Sequence, residues 1–173
     1  MSEEQNEGDA IDAVVGAWHR ERPELELTAI GVAGRLGRVA MLTTPMVEAV
    51  FAKHGLKQGE FDVLAALRRS GKPYTLMPSE LSATLMMSRA GMTSRIDRLE
   101  SAGLVERALD PEDRRSFRVS LTERGFEVVD AAMSEHTANV TKLLSPLGDD
   151  LDVLDRSLRR LLGSLDGDSP RKT

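Results

Sequence analysis

The sequence contains no cysteine, which excludes disulfide bonds, thiolate metal ligands and thiol redox sensing. Aromatic residues make up only 3% of the 173 positions, so we do not expect a stacking platform for single-stranded nucleic acid. No apolar run approaches the length of a membrane span, and the acidic beginning Met1-Ser-Glu-Glu does not resemble a signal peptide. We therefore expect a cytoplasmic protein that does not contact a membrane.

Patterns typical of catalysis or metal binding are also missing. The histidines His19, His54 and His136 are far apart, and none has a second histidine or a carboxylate at metal-ligand spacing. The sequence has no Gly-x-Ser-x-Gly, Ser-x-x-Lys or P-loop pattern. We expect no catalytic residue, no metal site and no cofactor, and therefore a binding protein rather than an enzyme.

The net charge of −5 and the pI near 5.3 are unusual for a nucleic-acid-binding protein. Whole-chain charge, however, governs solubility, whereas phosphate binding depends on where the cations lie. Two segments are locally basic: Ser88 to Leu99 contains Arg89, Arg95 and Arg98, and Asp113 to Arg118 contains three further arginines. These two segments are the best candidates for binding a phosphate backbone.

Hydrophobic periodicity predicts a mainly helical chain with one pair of short strands. The helices are predicted in these segments: Ile11–Trp18, Glu24–Lys53, Glu60–Arg69, Pro78–Leu85, Ser88–Ala102, Thr122–Leu144 and Asp149–Leu165. The strands are predicted at Leu104–Arg107 and Phe117–Leu121. Gly55, Gly71 and Gly103 each follow a predicted helix, where a glycine is a common stop.

The region from Pro78 to Leu121 has the pattern of a helix-turn-helix followed by a β-hairpin. Ser88 is a good N-cap for the second helix, because its hydroxyl can accept a hydrogen bond from an amide of the first turn. The segment Asp110-Pro-Glu-Asp-Arg-Arg predicts a turn with arginines at its tip. A basic helix face alone is more often solvated surface, but guanidinium groups on a hairpin suit a narrow minor groove. The combination indicates a DNA-reading device.

This stretch closely resembles the recognition helix and wing of the MarR family of winged helix-turn-helix regulators, and the resemblance covers roughly Gly55 to Gly125. It implies a mainly α fold with a two-stranded wing and long dimerisation helices at both ends of the chain. The implied domains are an N-terminal extension with dimerisation helices at 1–54, a DNA-binding lobe at 55–125, C-terminal dimerisation helices at 126–165 and a disordered tail at 166–173. It also implies a homodimer on duplex DNA.

The resemblance assigns DNA contacts to the recognition helix and to the wing. In the helix, four residues are expected to contact DNA: Ser88, Arg89, Thr93 and Arg95. In the wing, Asp113 is expected to hold Arg115 in the minor groove, next to Arg114. Met77 departs from the family pattern, because a Ser or Thr normally caps the first helix at this place. The missing hydroxyl should cost about 1 kcal/mol, unless the helix begins at Ser79.

The N-terminal region resembles a MarR branch that senses small organic anions such as urate. The resemblance is carried by Trp18 in Ala17-Trp-His-Arg-Glu-Arg-Pro and by Asp62 in Glu60-Phe-Asp-Val-Leu. It implies a site for a urate-like or carboxylate anion at four residues: Trp18, Asp62, Arg95 and Arg107. Arginine offers a rigid bidentate fork to a planar anion. Alternatively, Trp18 fills a core and Asp62 is an ordinary surface residue of a first helical turn.

Two further patterns each have two interpretations. A leucine stripe in the last helix could pack on its own domain or on a second chain, and the resemblance favours the second: Leu151, Leu154, Leu158, Leu161 and Leu165. Gly31, Gly34 and Gly37 do not follow a strand, so a phosphate cradle is not expected. These glycines could leave room for a ligand or allow close helix packing, and we favour close packing.

Together with these patterns, the resemblance implies a ligand-responsive regulator that binds a pseudo-palindromic operator and acts as a repressor that a small organic anion releases. In the expected mechanism, Asp62 pairs with an arginine rooted in or near the recognition helix, and the anion competes for that arginine. The alternative is a winged-helix module that binds proteins and never contacts bases, because this fold has many uses.

Overall fold

The structure is a computed structural model, and it describes residues 8–111 and 116–167. In these residues the chain forms seven α-helices: α1 Ala10–Glu21, α2 Thr28–Lys53, α3 Gln58–Arg69, α4 Pro78–Thr84, α5 Arg89–Ser101, α6 Glu123–Leu144 and α7 Leu151–Gly167. It also forms three strands, β1 Thr75–Leu76, β2 Val105–Leu109 and β3 Phe117–Leu121, and a 3-10 helix at Ser145–Asp150. The mainly helical fold is confirmed. The chain divides between Glu48 and Ala49 into two compact units.

The first unit contains α1 and most of α2. Asp9 caps α1, because its carboxylate accepts a hydrogen bond from the Ile11 amide at 2.8 Å, and Arg35 on α2 donates to the same carboxylate at 2.8 Å. A Cβ at Gly34 would lie 3.1 Å from the Ile11 side chain. Close helix packing is therefore confirmed at Gly34, whereas a Cβ at Gly37 would meet nothing within 4 Å.

The long helix α2 begins four residues later than predicted. The Glu26 carboxylate accepts a hydrogen bond from the Thr28 amide at 2.9 Å, which satisfies one of the free donors of the first turn. The preceding residues form a turn, in which the Leu25 amide donates to the carbonyl of Arg22 at 3.1 Å. Local hydrogen bonds of this kind do not appear in the hydrophobic pattern, so the pattern placed the start too early.

The second unit has a single apolar core between the end of α2, α3, the α4–α5 pair, the sheet and α6. Its largest fully buried side chains are Phe51, Leu64, Leu67, Leu81, Met92, Ile96 and Leu99. Phe51 and Phe61 stack with their ring centroids 4.2 Å apart, which joins α2 to α3. These buried side chains define the inner faces of α3 and of the helix-turn-helix.

The strands form an antiparallel sheet in the order β1-β3-β2. The β2–β3 hairpin is the predicted wing, with Val105 opposite Leu121. Strand β1 adds a third strand beside the predicted two-stranded wing: Thr75 pairs with Ser120 across the sheet, and their hydroxyls lie 2.8 Å apart. Two residues are too few to show an alternating pattern, so only the tertiary pairing reveals this strand.

The caps of the helix-turn-helix follow the residue chemistry. Ser88 caps α5 as predicted, because its hydroxyl accepts a hydrogen bond from the Gly91 amide at 3.2 Å. Met77 is the N-cap of α4, so this helix begins at Pro78 and not at Ser79. The Glu80 carboxylate accepts a hydrogen bond from the Met77 amide at 2.7 Å, and half of a capping box is thereby retained.

The other described residues of the chain do not bury the leucine stripe of α7. No residue of α7 is buried, and Leu151, Leu161 and Leu165 are 41%, 47% and 58% exposed. The helix continues to Gly167, so the prediction that a tail occupies 166–173 places its start at least two residues too early. Residues 168–173 lie outside the described residues. In the described parts of the chain no helix is long and apolar enough to cross a membrane.

Gly125 is required where α6 meets the sheet. A Cβ at this position would lie 1.9 Å from the carbonyl oxygen of Leu104, and a backbone atom cannot rotate away. We expect Gly125→Ala to lower the free energy of unfolding by about 1–3 kcal/mol in urea titrations. Gly163→Ala is the control, because its Cβ would meet nothing within 4 Å and should be neutral or stabilise by about 1 kcal/mol. Equal stability of the two variants would contradict this packing.

Candidate functional site

The outward surface of α5 is the candidate nucleic-acid interface. Met92, Ile96 and Leu99 are buried on its inner side. At about 100° per residue, Ala90 and Ser94 lie opposite that side, and both are exposed. Small side chains at these positions allow the helix backbone to approach the floor of a groove closely.

The exposed beginning of α5 holds three of the expected contact residues. Ser88 is the N-cap, and the guanidinium of Arg89 makes no ion pair or hydrogen bond with the described residues. The Thr93 hydroxyl donates to the carbonyl of Arg89 at 3.0 Å, so the lone pairs of its oxygen remain available as acceptors. This end of α5 therefore offers one unpaired cation and one acceptor.

Arg95 does not lie on this surface. Its Nη1 donates to the carbonyl oxygen of Gly59 at 3.3 Å and contacts the sulfur of Met87. A Cβ at Gly59 would lie 2.2 Å from Arg95 Cζ, so the guanidinium rests directly on the glycine. The expectation that Arg95 faces the major groove is corrected, because its position on α5 directs it towards the first turn of α3.

Arg98 also points towards α3. Its Nε donates to Glu60 Oε1 at 2.7 Å, and Glu60 Oε2 accepts from the Lys57 amide at 2.9 Å. Glu60 is only 7% exposed. Burial opposes ionisation of this carboxyl, but the Lys57 amide and the Arg98 guanidinium together outweigh burial and hold the pKa of Glu60 below its usual value. This ion pair therefore joins α5 firmly to α3.

Arg107, expected at the ligand site, lies in β2 and pairs with carboxylates of α5. It forms ion pairs with Asp97 and with Glu100, the latter at 3.1 Å, and its guanidinium lies 5.1 Å from the ring centroid of Phe117. None of these contacts brings Arg107 to Asp62. We therefore remove Arg107 from the expected ligand site.

Asp62 lines a cavity of about 440 Å³ between α3 and α6. Burial raises the pKa of Asp62, and attraction by Arg95, then by Arg69 and His136, offsets only part of that effect. Among the described residues Asp62 has no direct ion pair, so the expected Asp62–Arg95 pair is replaced by a longer-range attraction. The cavity thus holds an incompletely neutralised carboxylate, which is typical of functional sites.

Arg69 and His136 line the same cavity and were missed by the sequence analysis. Arg69 follows Asp62 by seven residues, a spacing that places both on one helix face and could have revealed it. His136 packs against Phe51 and Phe61 with ring centroids 5.0 and 5.7 Å away. Its Nδ1 is buried with no hydrogen-bond partner in the described residues. No local pattern marks such a histidine, because its surroundings come from two other helices.

Trp18 is 52% exposed in the first unit, so the core-filling interpretation is wrong for the isolated chain. Its indole lines an apolar groove of about 480 Å³ with Leu25, Leu27 and Ile30. The groove lies where α1 ends and the turn towards α2 begins. An indole with an accessible ring face remains available for contact with a planar molecule.

The wing tip, with Asp113, Arg114 and Arg115, lies outside the described residues. The base of the wing is held by a bidentate ion pair, in which Arg118 donates to both carboxylate oxygens of Asp110 at 2.9 and 3.2 Å. Asp110 is buried, and its amide donates to the carbonyl of Ser116 at 3.0 Å. Arg118 therefore closes the hairpin.

The family model described as MarR family matches residues 54–116. The chain is similar to the HTH-type transcriptional regulator PecS of Dickeya dadantii, with 38% identity over 90% of this chain and 92% of that protein. The transcriptional repressor MprA of Escherichia coli is 34% identical over 65% of this chain and 64% of its own length.

Among solved structures, the MarR family regulator AbsC of Streptomyces coelicolor superposes with a TM-score of 0.73 at 28% identity, covering 83% of this chain and 97% of AbsC. A mutant MarR from E. coli in complex with operator DNA superposes with a TM-score of 0.67 at 25% identity, covering 79% of this chain and 97% of that one.

Asp62 and Glu60 lie two residues apart on α3. Neutralising each of them should change the free energy of unfolding in opposite directions. The pKa of Asp62 is raised, so its charge costs stability once the pH exceeds the ordinary aspartate value of about 3.9. We expect Asp62→Asn to increase the free energy of unfolding at pH 7, with the gain shrinking as the pH falls towards that value.

The pKa of Glu60 is lowered, so its contribution is complete above the ordinary glutamate value of about 4.3 and is lost as the pH falls below it. Glu60→Gln weakens charged hydrogen bonds and should cost about 1–3 kcal/mol at pH 7. Urea titrations between pH 4 and 8 measure both variants. Changes of the same sign at pH 7 would contradict these two environments.

Proposed function

Because the chain belongs to the MarR family of DNA-binding transcriptional regulators, we propose that it acts as a homodimeric repressor on a pseudo-palindromic operator and is released by a small organic anion. It is a regulator and not an enzyme. The observation that carries the DNA-binding proposal is the exposed surface of α5, where Ala90 and Ser94 are small and exposed and Arg89 makes no ion pair with the described residues.

In this proposal α5 lies in the major groove, which is wide enough for a helix. Ser88, Arg89 and Thr93 contact DNA near the beginning of α5. The wing reaches the adjacent minor groove, with Arg115 inserted, Asp113 holding it and Arg114 beside it. The cytoplasmic location expected from the sequence belongs to the same proposal.

The exposed leucine stripe of α7 supports the homodimer. Leu151, Leu161 and Leu165 are exposed in the single chain, and Ile30 and Met41 of the N-terminal helices are also more than half exposed. A two-fold symmetric operator needs two copies of the recognition helix. We therefore assign 1–54 and 126–165 to dimerisation, and 55–125 to DNA binding.

The cavity at Asp62 supports the anion response. Arg69 lines the cavity, and Arg95 attracts Asp62 electrostatically while resting on Gly59. An anion that competes with Asp62 for Arg95 would draw the guanidinium from Gly59 and shift α5. Couplings of about 1–3 kcal/mol are sufficient for such a switch. Trp18 remains a ligand residue of the proposal because of its exposed indole.

Replacing Arg89 or Arg95 tests the DNA-binding proposal. An operator is first selected from random duplexes, and binding is then measured by fluorescence anisotropy at several salt concentrations. Arg89→Ala should weaken binding and lower the salt slope by about one phosphate contact, or change the preferred bases. Arg95→Ala should weaken binding to all sequences with an unchanged slope, because its charge faces α3.

Two chains per operator should be found by sedimentation of the complex. If the native protein showed no salt-dependent binding to duplex DNA, a module for protein partners would be favoured instead, because protein contacts release few counterions.

Trp18 fluorescence tests the anion response. A panel of urate, benzoate and citrate should include a ligand that quenches the indole saturably, one per subunit, and releases the operator over the same concentration range. Asp62→Asn should weaken the release. Trp18→Phe should remove the optical signal and lower the ligand affinity. If no anion of the panel changes either fluorescence or operator binding, the anion response is wrong and the DNA-binding proposal stands.

A further inference from the structure

We propose that Ser94 reads a base edge in the major groove and that Glu60 and Arg98 are the positioning residues that orient its hydroxyl. The proposal rests on the DNA-binding function proposed above and adds a specificity contact to it. The juxtaposition that suggests it is an exposed serine at the outer end of a hydrogen-bond chain that begins on a buried carboxylate.

The chain of hydrogen bonds runs from α3 to the outer surface of α5. The Lys57 amide donates to Glu60 Oε2 at 2.9 Å, and Arg98 Nε donates to Glu60 Oε1 at 2.7 Å. Arg98 Nη1 then donates to Ser94 Oγ at 2.9 Å. Two nitrogens of the Arg98 guanidinium are thereby engaged, Nε by a buried acceptor and Nη1 by an exposed one.

The hydroxyl hydrogen of Ser94 is free to be donated outward. Other exposed helical serines of this chain, one of them on α5 itself, donate to the carbonyl four residues earlier: Ser101 to Asp97, Ser134 to Asp130 and Ser157 to Val153, each at 2.8–2.9 Å. Ser94 makes no such bond in the described residues. Its oxygen accepts from a guanidinium instead, and a charged donor of this kind makes the hydroxyl a stronger donor in turn.

Arg98 is itself a poor candidate for a phosphate contact. Withdrawing it from Glu60 would leave a nearly buried carboxylate without its cation, which is strongly unfavourable. The group that Glu60, Arg98 and Ser94 together present to DNA is therefore the neutral hydroxyl of Ser94.

Ser94 lies opposite the buried face of α5, at the part of the helix that enters a groove most deeply. The acceptors there are purine N7, guanine O6 and thymine O4, so the contact carries sequence information.

The test compares variants on the selected operator and on each of its single-base substitutions, at several salt concentrations. Ser94→Ala should weaken binding about 2- to 10-fold, the range of one neutral hydrogen bond, and flatten the base preference at one position of each half-site. The salt slope should not change, because no cation is lost. Ser94→Thr should restore the preference.

Arg98→Gln and Glu60→Gln should flatten the base preference at the same position, because the Ser94 hydroxyl loses its guanidinium partner. Combining either of them with Ser94→Ala should flatten it no further. A purely structural role for Arg98 would weaken all sequences equally and leave the preference intact. Ser101→Ala is the matched control, because this exposed serine of the same helix face already donates to Asp97 and should not affect preference.

Three results would overturn the inference. One is that the base preference at every position persists in Ser94→Ala. Another is that Ser94→Ala weakens binding equally for all sequences, which would mean that the hydroxyl contacts the DNA backbone. The salt slope could also fall by about one in Arg98→Gln, which would make Arg98 a phosphate contact. Failure of the underlying function is distinct from these, because the native protein itself would then show no salt-dependent duplex binding.

Discussion

The attachment of α5 to the first turn of α3 is the constraint on which the proposed interface depends. Glu60 is nearly withdrawn from water, and Arg98 and the Lys57 amide stabilise its charge. An unpaired buried carboxylate would be costly, so Arg98 cannot leave without a large loss of stability. Beside it, the missing side chain of Gly59 leaves room for Arg95. Two arginines of α5 therefore serve the orientation of the helix, and Arg89 remains for the proposed contact with DNA.

The same turn brings the proposed ligand response close to the recognition helix. Asp62 follows Glu60 by two residues and faces the cavity between α3 and α6, where burial raises its pKa. Arg95, which rests on Gly59, is the cation that attracts it most. A change of charge in the cavity would thus act on an element that already contacts α5. Coupling of this kind needs no long path through the protein, because one helical turn belongs to both sites.

The extent of prediction from sequence follows the range of the interactions involved. The existence of the helices, the cap at Ser88 and the β2–β3 hairpin depend on neighbours within a few residues, and they are confirmed, although α2 begins later than predicted. Strand β1 and the partners of Arg95 and Arg107 depend on segments distant in the chain, and these expectations were incomplete or wrong. An arginine has several donors and a long flexible stem, so its partner is chosen by what lies within reach in three dimensions.

By itself, the sequence determined the helical periodicity, the helix-turn-helix with its wing and the family to which the chain belongs. It also identified Asp62 and Trp18 as unusual positions. Only the tertiary structure decided which cations face outward, which carboxylate is buried with a partner and which is buried without one. The physical reason is that the energy of a charge depends on its distance from other charges and from water. Those distances exist only after α3, α5 and α6 have packed together.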